Sequence, residues 1–231
     1  MPATMTEQTA RGNAVVAIPA HNEAVRLGLV VRGCRALGFP VWVVDDGSTD
    51  ATAETAQREG AEIFRHPTNL GKGAAIRTAL AQFRGTTFAH LIFMDADGQH
   101  DPAHLPVFLQ AAESADLVLE NRMSHPAAMP CLRRATNRLM SWILSRICGI
   151  GIPDSQCGFR LLSRRFAEAF HPTTSHFEVE SEMLVEAARR GFRIATAPIA
   201  TIYEKPSSHI RPLTDTLRFL RWLLKIYLLP R

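Results

Sequence analysis

The sequence predicts an α/β fold, with a mostly parallel central sheet flanked by helices and further amphipathic helices in its C-terminal half. Two observations carry this. Through the first half, short apolar runs alternate with helical patterns, which implies a parallel sheet. Three of those runs end in polar, acid-bearing loops, and in open parallel sheets ligands sit beyond the strands' carboxyl ends. At 231 residues with 46% hydrophobic residues, the chain can bury the core of one domain with a small extension. The expected divisions are a flexible tail over 1–13, the domain over 14–212 and an amphipathic helix over 213–231.

Taken in order, Val15-Val16-Ala17-Ile18-Pro19 is an apolar run stopped by proline. Ala20-His21-Asn22-Glu23 and a helical pattern through Val30, Val31 and Leu37 follow, so the segment reads as strand, loop, helix. Val41-Trp42-Val43-Val44 repeats the plan and ends in Asp45-Asp46-Gly47-Ser48-Thr49-Asp50. There Gly47 makes the turn, and Ser48, Thr49 and Asp50 can cap a helix over 50–59. A short strand over 62–65, a loop over 66–72 and a helix over 73–83 lead to the strand at Leu91. Another strand over 115–120 ends in Asn121-Arg122, and a helix is expected over 130–148.

The most informative stretch is Asp95-Ala96-Asp97-Gly98-Gln99-His100, directly after Leu91-Ile92-Phe93-Met94. Residues i and i+2 of an extended segment point the same way, so Asp95 and Asp97 can offer oxygens to one cation, with Gln99 continuing the row. Mg²⁺ or Mn²⁺ takes one or two carboxylates and completes its shell with water and phosphate oxygens. The alternative is a solvated acidic turn before the helix that Asp101-Pro102 starts.

Other signals exclude more than they assign. Asn69-Leu70-Gly71-Lys72-Gly73 is no Walker A loop, because Gly73 follows the lysine and no glycine stands at Arg65 or His66. Lys72 reads as a solvated loop lysine that can still reach a diphosphate. Cys34, Cys131, Cys148 and Cys157 show no Cys-x-x-Cys spacing, which favours reduced thiols over zinc or disulfides. No signal-peptide run precedes the first strand, so a cytoplasmic location is expected. The net charge of +4 is mild, and nucleic acid is not an expected partner.

Pro19-Ala20-His21-Asn22-Glu23, Val44-Asp45-Asp46-Gly47-Ser48, Asn69 to Gly73 and Asp95 to His100 resemble, in that order, the motifs of family 2 glycosyltransferases of the GT-A fold. Asp154-Ser155-Gln156-Cys157-Gly158-Phe159-Arg160 and Phe177-Glu178-Val179-Glu180 narrow the resemblance to polyprenyl-phosphate sugar synthases, such as dolichyl-phosphate mannose and glucose synthases. The resemblance covers roughly 14–205. It implies inverting transfer of a hexose from a UDP-glucose or GDP-mannose type donor to a polyprenyl or dolichyl phosphate. Pro19, His21, Glu23, Val44 and Asp46 would line the base and ribose, with the Ala96 backbone beside them. Asp95, Asp97 and Gln99 would hold Mg²⁺ or Mn²⁺, Arg122 would meet the diphosphate, and Arg133 and Asn137 would face the acceptor phosphate, with Asp97 acting beside them in catalysis. His21 stands where tyrosine is usual, and Glu178 where some mannose synthases carry a basic residue.

The chemistry of such an acceptor fits the residues. A phosphate monoester is already anionic, so it needs orientation and charge screening more than a base, and arginine supplies both. On the 130–148 helix, Arg134, Arg138, Ser141 and Ser145 form one stripe opposite Leu132, Leu139, Ile143 and Ile147; the helix either packs that apolar side on the core or lies between domain and membrane. At the C-terminus, an apolar segment over 214–229 carries Arg218, Arg221 and Lys225 on one stripe. It is too short to span a bilayer and fits an interfacial helix on the cytosolic membrane face. Docking on the domain, on a membrane-anchored subunit or on a second copy is the alternative.

A sugar-nucleotide pyrophosphorylase is set aside, because its phosphate loop is unlike Pro19 to Glu23. A transferase acting on a saccharide or lipid hydroxyl would need Glu178 or Glu180 as base. A membrane-associated adaptor without activity would have lost the metal acids, which are present.

Overall fold

The computed structural model describes residues 12–124, 131–199, 218, 219, 221–224 and 226, without the side chains of residues 124 and 131–133. Strands β1 (Ala14–Ala20), β2 (Val41–Asp45), β3 (Glu62–Arg65) and β4 (His90–Phe93) alternate with helices α1 (Ala24–Ala36), α2 (Thr52–Arg58) and α3 (Lys72–Arg84). After them come α4 (Leu105–Ala112), β5 (Leu117–Asn121), α5 (Cys131–Cys148), β6 (Arg160–Ser163), α6 (Arg164–Ala169), α7 (Glu178–Arg189) and β7 (Ile194–Pro198). The sheet order is β3-β2-β1-β4-β6-β5-β7. Only β6 runs against its neighbours, β4 and β5; the remaining pairings are parallel.

Alternation along the strands divides the core in two. Val15 and Ala17 face one side with Trp42, Val44, Leu91, Phe93 and residues of α3, α6 and α7. Ala14, Val16 and Ile18 face the other with Val41, Val43, Ile92 and residues of α1 and α4. Because both faces are covered, β1 and β2 read as near-continuous apolar runs, as buried parallel strands do.

Two helices differ from the sequence reading. On α5 the buried line runs through Asn137, Ser141 and Leu144, while Leu139 and Trp142 are 57% and 58% exposed. Ser141 of the polar stripe therefore faces inward beside Asn137, because both find hydrogen-bond partners there, while Arg138 of that stripe is exposed. In the C-terminal segment, Phe219 and Trp222 are buried in the first core and Leu223 and Ile226 pack beside them. Arg189 donates to the Ile226 carbonyl, and Arg221 and Leu224 face outward. The described residues of this segment thus dock on the domain; Leu220, Lys225, Tyr227, Leu228 and Leu229 lie outside the described residues, as does the tail over 1–11. Among the described residues, no helix is long and apolar enough to cross a membrane.

Candidate active site

The strand ends dictate where the loops meet. Pro19 pairs with Val44 and Ala20 with Asp45, and Ala17 pairs with Phe93, so the loops after β1, β2 and β4 leave the sheet side by side. β6 starts at the same level because it runs the other way, with Arg160 opposite Phe93. The 154–159 loop therefore forms one wall of this rim.

The first two loops are tied together by their own polar groups. Asn22, at φ 56°, a conformation asparagine tolerates, accepts from the Thr49 N–H at 2.9 Å, while its own N–H donates to Ser48 Oγ at 2.9 Å. Glu23 N–H donates to Thr52 Oγ1 at 2.9 Å. His21 Nδ1 lies 3.0 Å from the Asp46 carbonyl oxygen, which fixes the flat ring beside that loop. Asp46 turns inward: its carboxylate accepts from Leu70 N–H at 2.9 Å and Gly71 N–H at 2.7 Å and lies 2.7 Å from His66 Nδ1. It anchors the 66–71 loop. Pro19 is half-buried at the rim, whereas the Val44 and Ala96 side chains belong to the two cores, which leaves only their backbones to a ligand.

Asp95 and Asp97 follow β4 as expected. Asp97 Oδ1 accepts from Gln99 N–H at 3.0 Å, and both residues are half-buried. Asp95, Asp97 and Gln99 offer oxygen donors alone, the set that a hard divalent cation takes, so these residues fit Mg²⁺ or Mn²⁺. His100, Glu120 and Cys157 also cluster within 4.8 Å, but all three are buried and bonded to one another. His100 Nδ1 lies 3.0 Å from Glu120 Oε2 and its Nε2 lies 3.5 Å from Asp95 Oδ2, while the Cys157 thiol donates to Glu120. This cluster backs Asp95.

Lys72 is not a solvated loop lysine. Its Nζ lies 2.6 Å from Asp95 Oδ1 and 2.6 Å from Glu180 Oε1. Burial alone would lower its pKa, but the two carboxylates outweigh that and raise it. Burial opposes ionisation of Asp95, yet Lys72 and His100 hold its carboxyl far below the ordinary range. For His100, burial is overcome by Glu120 and Asp95, which raise its pKa to about 10.

Two residues expected to touch ligand also bond the protein. Arg122 forks onto Asp154, Nε to Oδ2 at 2.7 Å and Nη2 to Oδ1 at 3.0 Å, and also donates to the Gln156 carbonyl. Asn137, 4% exposed, donates to Asp154 Oδ1 at 2.8 Å and accepts from Ser141 Oγ at 3.1 Å. Asn137 thus ties α5 to the 154–156 loop, and Arg122 ties the end of β5 to the same loop through Nε and Nη2. The Arg133 side chain lies outside the described residues. Arg160 is also inward, donating to the carbonyls of Cys157, Ser155 and Glu180.

Residues 15–170 match the family described as Glycosyl transferase family 2. The chain belongs to it. This enzyme is a glycosyltransferase, similar to an uncharacterized protein of Methanocaldococcus jannaschii at 32% identity over 83% of this chain and 82% of that one. It is similar at 29% to an undecaprenyl-phosphate mannosyltransferase of Micrococcus luteus, over 80% of this chain and 82% of that one. Among solved structures, glucosyl-3-phosphoglycerate synthase of Mycobacterium tuberculosis, in complex with Mn²⁺, UDP and glucosyl-3-phosphoglycerate, superposes with a TM-score of 0.74. That match covers 97% of this chain and 83% of the other at 22% identity, and shows the GT-A fold.

Proposed function

We propose that this glycosyltransferase moves a hexose, with inversion, from a UDP- or GDP-sugar to a polyprenyl or dolichyl phosphate at a membrane surface. The convergence of the β1, β2 and β4 loops on Asp95, Asp97 and Gln99 at one rim carries the reading. The Micrococcus relative supports the acceptor class, and the metal-bound UDP complex of the mycobacterial synthase supports the donor class. Asp95, Asp97 and Gln99 hold Mg²⁺ or Mn²⁺, which when bound screens the charge of the leaving diphosphate. Pro19, His21 and Glu23 flank the nucleoside. Arg122 stands at the diphosphate; with Asn137 engaged by Asp154, orientation of the acceptor phosphate falls to arginines of α5: Arg133, half-buried Arg134 and exposed Arg138.

A second reading keeps a hydroxyl acceptor. Glu180 is taken by Lys72, but Glu178 Oε2 is shielded from water and has no hydrogen-bond partner, leaving Glu178 as the available base. Incubation of the purified protein with UDP- and GDP-sugars, polyprenyl phosphate and Mn²⁺, followed by mass spectrometry of the lipid fraction, separates the two. A hexosyl-phosphate lipid is expected; a product linked through a hydroxyl would overturn the first reading. Flotation with anionic liposomes tests the membrane surface, and substitution of the outward Arg221 and Leu224 by glutamate, which spares the buried Phe219 and Trp222, is expected to weaken it.

A further inference from the structure

Asp95 has a side-chain partner on Oδ1. Its Oδ1 is 2.6 Å from Lys72 Nζ, which lies equally close to Glu180 Oε1. The three side chains are only 15%, 27% and 8% exposed for Lys72, Asp95 and Glu180. Lys72 is placed by backbone without slack. Gly71, at φ 93°, donates to Asp46 Oδ2, and a Cβ on Gly71 or Gly73 would collide with the backbone at Thr174 and Ser175. The Phe177 ring closes one side, 5.8 Å from Nζ.

The residue type is itself informative. The 26 basic residues include three lysines, Lys72, Lys205 and Lys225, so this chain's ordinary cation is arginine. Arg122 shows what arginine does on this rim: it forks onto one carboxylate. Lysine instead shares a compact charge between two carboxylates and retains a third N–H.

We propose that Lys72 is a resident counter-ion that competes with the divalent cation for Asp95 Oδ1 and is drawn off by the donor's diphosphate, so that metal and nucleotide bind as a pair. The proposal rests on Asp95 being a metal ligand. A divalent cation on Asp95 Oδ1 would stand against the ammonium and repel it. The ammonium can keep Glu180 and turn its remaining N–H groups to a phosphate oxygen, a charge-assisted bond. Metal alone must displace Lys72 uncompensated, whereas metal arriving with a diphosphate leaves Lys72 a new anion.

The test is Mn²⁺ binding followed by electron paramagnetic resonance, with and without inorganic pyrophosphate, in the wild type, Lys72→Met and Asp95→Asn. Without pyrophosphate, Lys72→Met is expected to bind Mn²⁺ roughly tenfold more tightly than the wild type, the scale of one charge-assisted contact. Pyrophosphate should then strengthen Mn²⁺ binding less in the variant than in the wild type. Equal or weaker Mn²⁺ binding by Lys72→Met, with Asp95→Asn binding none, overturns the proposal and leaves Asp95 as a ligand. Unchanged binding in Asp95→Asn removes the metal assignment itself. A wild-type measurement guards against a variant that does not fold: amine labelling of Lys72, mapped by mass spectrometry among three lysines, should accelerate with Mn²⁺ and slow again when pyrophosphate is added. Labelling that does not change on Mn²⁺ saturation overturns the proposal.

Discussion

Asp95 and Asp154 stand on one rim, and each faces a cation, but they are held differently. Asp154, fully buried, receives the Arg122 fork, the Asn137 amide and the Gln156 N–H. Asp95 is about a quarter exposed and meets a lysine on one oxygen and a histidine near the other. A carboxylate satisfied on every side fixes a loop, and breaking such a pair strands a buried charge. A partly exposed carboxylate whose Oδ1 meets a shared ammonium can exchange that partner. The wall of the rim is built from the first kind of contact and its working edge from the second.

Four experiments break or sharpen this contrast. The largest effect is expected from Asp97→Ala, which should lower transfer on the order of a thousandfold, the scale of metal-based charge stabilisation, with little loss of stability. Near-normal turnover in that variant, or in excess EDTA, removes the metal from the mechanism. Next, Asp154→Ala should cost about 3–5 kcal/mol in urea unfolding, because Arg122 is left buried without its partner, whereas Asp95→Asn should cost far less. Equal losses would erase the distinction. Third, Gly158 lies so close to Asp95 that a Cβ would overlap its carboxylate. Gly158→Ala should therefore weaken Mn²⁺ binding by roughly tenfold or more, as one displaced ligand would; unchanged binding means Asp95 tolerates the move.

The smallest effect concerns pH. His100 has its pKa raised from 6.5 to about 10 by Glu120 and Asp95 against the effect of burial. A raised pKa stabilises the folded state fully below the unfolded value and loses that contribution as pH climbs through the folded one. In EDTA, wild-type unfolding free energy should fall between pH 6.5 and pH 10, and His100→Gln should flatten that slope. The lowered carboxyls of Asp95, Glu120 and Asp154 act at the other end, losing their contribution as pH drops below the ordinary carboxylate range. A wild-type slope that survives in His100→Gln would assign the alkaline loss to another group.

Much of the architecture was legible because apolar runs and turn residues are local signals. β1, β2, β3 and β4 fall where the apolar runs stand, and Asp95 and Asp97 lie in the loop that follows β4, with Asp97 in a turn. Partnership was not legible, because it joins residues far apart in sequence. Lys72 reads as a loop lysine until Glu180, 108 positions later, is brought to it. Nor did the sequence show that Arg122 and Asn137 both bond Asp154, 32 and 17 positions later. The one local hint for Lys72 was its rarity, a lysine in a chain that otherwise uses arginine. On α5 the stripes were only partly right: Ile147 packs beside the core and Arg138 is exposed, but Ser141 and Asn137 are buried with partners while Leu139 is exposed.

The reversed strand also bears on how the protein is made. β4 is flanked by β1, encoded about 75 residues earlier, and β6, encoded about 70 residues later. During synthesis β3-β2-β1-β4 can assemble first, leaving β4 as a raw edge of unpaired backbone groups, the kind of template on which nascent chains stick together. The insertion of β6 seals that edge and, in the same movement, carries Gly158 against Asp95. A fragment ending before Arg160 would keep β4 as an open edge, whereas the far edge of β5 waits for β7 and the Lys72 site for Glu180.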